Sequence, residues 1–476
     1  MEEIIALLQT NPTEALKKLY ADNIDPKEIS DLRKEYHELE RTKRDTQVGN
    51  VQKDKTIGTG EKQRLVKSIR IPVPFQKKIV TTSTAFEFGE PATIIPSKDT
   101  DLAQEIIRLW RENRIDSKLL EAKKLQKSEL QSALLFVIKD LKPENLLNKI
   151  FGINTNKEIS VRLLKNKNGI MTPYYDASGD MTAFIWEFST ILNDKEIKNI
   201  WVYTADKVYQ ISNESGSLKL DNAPAHGFGK IPIVYLSQEK PEWFDVQDLI
   251  DRLEVSLSKH GNSNDYAGHP ILKIYGEVAG APDKNDDGKA FILAQKETHD
   301  GKIISSDVDF LTYENAPESV KLEQQNLISF IYSLTSTPNL SFEALKGLGN
   351  GLSGKVLKML LIDPILKAKM NEGENRTILQ RIINVFISGT ITTTGKKLKK
   401  DVSETYFDII FNSIIPDDMS DIVEFVTKLK EKQLISSKTA IETVGLVENA
   451  QEELDAINAE KTKPKADGFK EEETLV

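Results

Sequence analysis

The sequence contains no cysteine, so none of its 476 residues can supply a disulfide, a thiolate metal ligand or a thiol nucleophile. Histidine is almost as scarce. Five scattered residues leave little material for a zinc centre. Long apolar runs are missing too. The longest, Ala133 to Ile138, is far short of the roughly 20 residues that cross a bilayer, so no membrane association is expected. The opening Met1-Glu2-Glu3-Ile4-Ile5 is acidic and then amphipathic, unlike a secretory or transit signal. What is present, 39% hydrophobic and 29% charged residues, is enough for real cores, and the length suggests about three domains or one large elaborated unit.

The net charge of −9 is unevenly placed. Residues 401–476 hold 18 acidic and 8 basic side chains, a net of −10 that leaves +1 for the first 400. Two stretches are basic: residues 41–70, with nine Lys/Arg against three Asp/Glu, and Ile391 to Lys400, with four lysines and no acid. A protein that grips nucleic acid statically shows a clearly basic domain. If DNA is a partner of this chain, it is passed along rather than held.

The residue pattern predicts an α+β N-terminal half. Asn11-Pro12-Thr13-Glu14 and Asp25-Pro26-Lys27-Glu28 are helix starts, each a capping residue followed by proline. Residues 41–70 lose apolar periodicity and read as a mobile loop or arm. Ile71 to Ile95 reads as helical and then extended, and 99–140 as helical throughout. Between Glu158 and Pro232 the period switches to two, predicting an antiparallel sheet. Phe244 to Tyr266 and Pro317 to Leu334 are helix patterns, and 267–315 between them alternates like strands. Two matching helices leading to and from a β-rich module make a stalk. A glycine-dense loop around Gly347, Gly349 and Gly351 precedes a long helical pattern from Ser353 to about Ser388, in which Pro364 should produce a kink. Tyr406 to Ile410 reads as a strand and Asp417 to Ile457 as two or three acidic helices. The residues from Lys463 onward are charged and unpatterned, which predicts disorder.

The chemical motifs are incomplete. Gly349-Asn350-Gly351-Leu352-Ser353-Gly354-Lys355 fits the G-x-x-x-x-G-K core of a phosphate loop. However, Val356 stands where Ser or Thr must hold magnesium, and no apolar strand precedes it, so a loop leading into a helix is the better reading. Asp283 to Gly288 copies the first half of a calcium loop, but Ala294 occupies the position of the bidentate glutamate, so a turn is expected. No Ser/His/Asp set can be defended. No catalytic residue, cofactor or metal is expected.

The order of parts resembles the portal (head–tail connector) proteins of long-tailed double-stranded DNA phages. The likeness runs from about residue 70 to 460. It is carried by Ile79 to Ile95 with Phe88-Gly89-Glu90-Pro91, by Gly229-Lys230-Ile231-Pro232-Ile233-Val234, and by Asp248-Leu249-Ile250-Asp251 with Ser256 to Tyr266. Leu334 to Gly354, and Ile415-Pro416-Asp417-Asp418 with Leu434 to Thr439, continue it. The resemblance implies N-terminal helices and a basic loop at 1–70, an α+β wing at 71–243, stem helices at 244–266 and 316–337, and a clip at 267–315. It further implies a tunnel loop at 338–353, a long kinked helix and wing return strand at 354–415, a helical crown at 416–460 and a tail at 461–476. Residues 130–137 would fall in a wing helix. Leu345, Lys346, Gly347, Leu348, Gly349, Asn350, Gly351 and Leu352 would line a DNA channel.

The family forms a ring, usually of twelve subunits, at one vertex of the capsid. The implied partners are further copies of the chain, double-stranded DNA in transit, the terminase large subunit, a head-completion adaptor, and major capsid and scaffolding proteins. The implied location is the virion, after assembly in the host cytoplasm. Two other readings stay open from the residues: a virion adaptor or scaffold that never encloses DNA, and a nucleotide-driven motor using Gly349 to Lys355.

Overall fold

The computed structural model describes residues 2–20, 24–37, 54–60, 63–140, 157–267, 271–275, 278–280, 292–293, 295–297, 303–305, 307–311, 317–340, 359–393, 398–412, 419–447 and 450–462. The strands between 271 and 311 are described by their backbone alone. The chain divides into two compact units, residues 1–341 with 362–412, and residues 342–361 with 413–476.

The first unit opens with helices α1 (Glu2–Thr10), α2 (Pro12–Leu19) and α3 (Pro26–Tyr36). The predicted caps are in place. Asn11 accepts from the Glu14 amide and Asp25 from the Lys27 amide, which satisfies donors that the first helical turn leaves unpaired. A small hairpin follows, β1 (Lys55–Ile57) against β2 (Arg64–Val66), so part of the expected unstructured arm is ordered. Asp54 organises its base by accepting from the Ser68 amide at 2.9 Å and pairing with Arg70 at 2.7 Å.

Next come α4 (Phe75–Phe88), β3 (Thr93–Pro96), α5 (Asp101–Glu112) and α6 (Ile115–Glu129). The helical expectation for 99–140 fails after Glu129. Leu130 takes a left-handed conformation, and Gln131–Asp140 is strand β4. β4 is the middle strand of an antiparallel sheet, between β5 (Lys157–Leu164) and β11 (Ile233–Ser237). Its two faces feed two cores, which is why the run from Ala133 to Ile138 is continuously apolar instead of alternating. Leu134 and Phe136 pack with Ile382 and Phe386, whereas Ala133 and Leu135 pack with Met171, Phe184 and Trp186. A short apolar run of this kind is ambiguous between buried strand and buried helix.

A meander of β6 (Ile170–Tyr175), β7 (Met181–Leu192), β8 (Lys195–Tyr203), β9 (Val208–Ser212) and β10 (Lys219–Asn222) forms the predicted antiparallel sheet. Its other face is covered by α1 and α2, through Ile4, Leu8, Leu16 and Leu19 against Ile185, Ile200, Val202 and Ile211.

After a single tight turn at Phe244–Val246 comes α7 (Gln247–Ala267). The backbone then forms three antiparallel pairs: β12 (Ile271–Tyr275) with β17 (Asp307–Leu311), β13 (Val278–Gly280) with β14 (Ile292–Leu293), and β15 (Gln295–Glu297) with β16 (Ile303–Ser305). Helix α8 (Pro317–Leu334) returns the chain. α7 and α8 are about 32 and 27 Å long at 1.5 Å per residue. Their base is a core of Phe75, Ile79, Trp243, Ile250, Leu253 and Ile331.

Helix α9 (Ile362–Thr393) is the longest element. The helical pattern expected from Ser353 is not one continuous helix, because Leu361 is a turn residue and α9 starts after it. Pro364 lies in the first turn of α9, where a missing N–H breaks no intrahelical bond. The short α10 (Lys399–Val402) leads to β18 (Phe407–Ile410), which pairs with β3 through Ile409 opposite Ile94. Of the second unit, three helices are described: α11 (Met419–Glu431), α12 (Ser437–Val444) and α13 (Ala450–Thr462). Ser436 caps α12 by accepting from the Thr439 amide at 3.1 Å.

Candidate functional site

The eight expected channel-loop residues, Leu345 to Leu352, lie outside the described residues, as do the phosphate-loop match 349–355 and the calcium-loop match 283–288. The chain on either side of that loop is described. It ends at Thr335 to Leu340 on one side and resumes in α9 on the other. These two flanks meet in a network of ion pairs that no sequence motif announced.

Lys367, on the second turn of α9, donates to the main-chain carbonyl of Thr335 at 3.1 Å and pairs with Glu242 at 2.7 Å. Glu242 immediately precedes the buried Trp243 at the entry to α7. Its other oxygen is 3.3 Å from Lys127 of α6, which reaches Glu87 of α4 at 2.8 Å. Ser83 bridges the pair, accepting from Lys127 at 2.7 Å and donating to Glu242 at 2.7 Å. Asn371 and Asn375 of α9 donate to the two oxygens of Glu87 at 2.7 and 3.0 Å. Lys123, one turn before Lys127, lies 3.5 Å from both Glu87 and Glu374. Three lysines thus face three glutamates at the point where α4, α6, α9 and the base of both stalk helices converge.

Burial decides the energetics. Lys123 and Lys127 are each 2% exposed, so neither charge is tolerable without a partner. Burial alone would raise the carboxyls, but the ammonium groups outweigh it. Lys127 and Lys123 hold Glu87 below its ordinary value, and Lys127 and Lys367 push Glu242 down to about 2. The same balance, burial against Glu87 and Glu242, leaves Lys127 above its ordinary value. A buried pair of this sort adds little over an apolar substitute, whereas removing one partner is costly. Its value is in fixing one arrangement of the elements.

A second tether runs along α7. Extended residues 69–73 hydrogen-bond their alternate amides to helix side chains four residues apart. Val73 donates to Glu254 at 2.7 Å, Ile71 to the Ser258 hydroxyl at 2.9 Å and Ile69 to Asn262 at 3.4 Å. Two extended residues advance about 6.6 Å and four helical residues about 6 Å, so the registers match over this length. On the outer side, Arg252 of α7 pairs with Glu323 of α8 at 2.6 Å.

Chemically, these sites hold parts in place. Among the described residues no cluster of metal-ligating side chains occurs, and no helix is long and apolar enough to cross a membrane. His226 has its ring Nε2 3.0 Å from the Thr204 carbonyl and its Nδ1 accepting from the Phe228 amide.

Comparison with known proteins agrees with the likeness drawn from the sequence. The model of the family described as phage portal protein, SPP1 Gp6-like, matches residues 20–465, and the chain belongs to that family. No curated protein matches it. Among solved structures it is similar to a chain of "Neck of empty GTA particle computed with C6 symmetry", with 10% identity over 80% of this chain and 96% of that one and a TM-score of 0.39.

Proposed function

We propose that this chain is the subunit of a closed ring, of twelve copies, at one vertex of a phage capsid. The ring is the conduit for double-stranded DNA during packaging and ejection. The family match over 20–465 carries this reading. The stalk and its anchoring are consistent with it. Residues 267–315, between α7 and α8, are the clip on which the terminase large subunit docks and which the head-completion adaptor later takes over. The wing contacts major capsid and scaffolding proteins. The protein resides in the virion and assembles in the host cytoplasm.

In this reading the loop 338–353 lines the channel. Gly347, Gly349 and Gly351 give it backbone freedom beside a duplex of different symmetry, Leu345, Leu348 and Leu352 brush past phosphates, and Lys346 offers a weak contact. The acidic crown, 416–460, faces the packaged genome and repels it. The ring does no chemistry of its own; the motor that docks on it does.

Deleting residues 268–314 tests the assignment. The variant should keep a folded wing and lose terminase binding. Unchanged packaging would refute it. Lys346→Glu and Gly349→Val should leave rings intact while slowing or aborting packaging.

A further inference from the structure

Helix α8 has an uncharged outer face. Residues 324–340 include no Asp, Glu, Lys or Arg, in a chain of which 29% is charged. The last charge before them, Glu323, is paired with Arg252 at 2.6 Å. The outer side chains are nevertheless in water. Gln325, Asn326, Ser329, Phe330, Ser333 and Leu334 are exposed, Phe330 by 55% and Leu334 by 63%. The solvent side of a surface helix normally carries charge, whereas loss of charge together with aromatic and aliphatic residues is the composition of an interface core. Leu322, Phe330 and Leu334, all exposed and spaced by multiples of four, form one ridge of this face.

A second ridge lies on α9. Ile362, Leu366 and Met370, again spaced by four, are exposed, Met370 by 85%. Lys367, next to Leu366, turns away from it to Thr335 and Glu242. Apolar residues scattered singly over a surface are normal, but two ridges of three are not. That the ridges sit on different helices decides the partner. A ridge meeting its own kind would be isologous and would join molecules two by two. The α8 ridge meeting the α9 ridge of the next copy is heterologous, recurs in every subunit and covers both ridges around a closed ring. Both are i+4 ridges, the kind that interdigitates between packed helices. Nucleic acid would find no cation on residues 324–340.

We propose that the outer face of α8 in one copy, from Leu322 to Leu334, packs on the Ile362, Leu366 and Met370 ridge of the next copy, and that assembly requires this contact. The proposal rests on the ring reading and names the two surfaces that build the ring.

A heterologous contact can be tested with two opposite lesions in the full-length protein. Phe330→Glu spoils the α8 face and leaves the α9 ridge intact; Leu366→Glu does the reverse. Both positions are exposed, so both variants should melt as wild type does. In sedimentation each variant alone should be monomeric at concentrations where wild type forms rings. Their equimolar mixture should contain dimers, of twice the chain mass. The intact α9 ridge of one variant meets the intact α8 face of the other, and the series of contacts stops there. Phe330→Ala and Leu366→Ala, which add no charge, should each move ring dissociation to an about tenfold higher concentration, and they decide the matter should a glutamate variant unfold. Rings from either glutamate variant, a mixture that stays monomeric, or alanine variants that dissociate as wild type does would each overturn the proposal. Wild type run alongside separates it from the reading on which it rests. Wild-type rings with a monomeric mixture dismiss this contact alone, and wild-type monomers dismiss the ring itself.

Discussion

The Lys367 ammonium donates across 3.1 Å to the carbonyl of Thr335, so that the start of the long helix is bonded to the end of the second stalk helix. The chain between them is the segment proposed to line the channel. Its two flanks therefore sit on one side chain, which is held in turn by Glu242 at 2.7 Å. Thr335 is itself fixed, its hydroxyl donating to the Ile331 carbonyl at 2.7 Å.

Replacing this lysine removes both bonds at once. Lys367→Met should cost about 2 kcal/mol in chemical denaturation, in the range of hydrogen bonds to charged groups. Glu242 keeps Lys127, so the core should stay folded. Hydrogen exchange should report faster opening at residues 335–340. Unchanged exchange there would separate Lys367 from the loop.

The network also sets the pH response. Glu242 has its folded pKa near 2 against an ordinary 4.5. Its contribution is fully present above 4.5 and is lost as the pH falls toward 2, an effect on the order of 3 kcal/mol. Glu87 acts in the same direction. Lys127 is raised, so its contribution is present below 10.5 and lost only in strong alkali. The stability gap between wild type and Glu242→Gln should accordingly be wide at pH 6 and narrow steadily between pH 4.5 and 2. A gap that stays constant would mean that Glu242 is not ion-paired.

The tether on α7 has its own signature. Ser258→Ala deprives the Ile71 amide of its acceptor, and Ile71→Pro removes the donor. Either should cost about 1 kcal/mol. Both should make the chain near residues 54–70 more sensitive to limited proteolysis. Identical cleavage in wild type and variants would contradict the tether.

Gly389 marks a close approach within α9. A Cβ there would lie 2.6 Å from a Phe228 ring carbon and 2.7 Å from Cδ1 of Ile159, both buried. Gly389→Val should destabilise the core around Phe228 and Ile159 by about 1–3 kcal/mol through overpacking. Gly373 on the same helix meets nothing within 4 Å, so Gly373→Ala should stabilise by up to about 1 kcal/mol. Thermal melts of the two variants should move in opposite directions.

The local signals are legible in the sequence. Asn11 and Asp25 cap the helices they announce, because a cap involves residues two or three apart. The two stalk helices follow from the spacing of their apolar residues. Strand β4 is not legible as a strand because Ala133 to Ile138, packed on both faces, has no period to betray it. The ion network was invisible for a different reason. Lys123 and Lys127, one turn apart, look in sequence like an exposed charged face, and their partners Glu87, Glu242 and Glu374 come from three distant elements. Nothing short of the tertiary fold says that this face points inward.

The central claim, a closed ring built from this stalked subunit, is most directly tested by electron-microscopy class averages of the purified full-length protein. The account predicts closed rings with a central hole, twelve-fold in end view. Monomers or open fibres would contradict it.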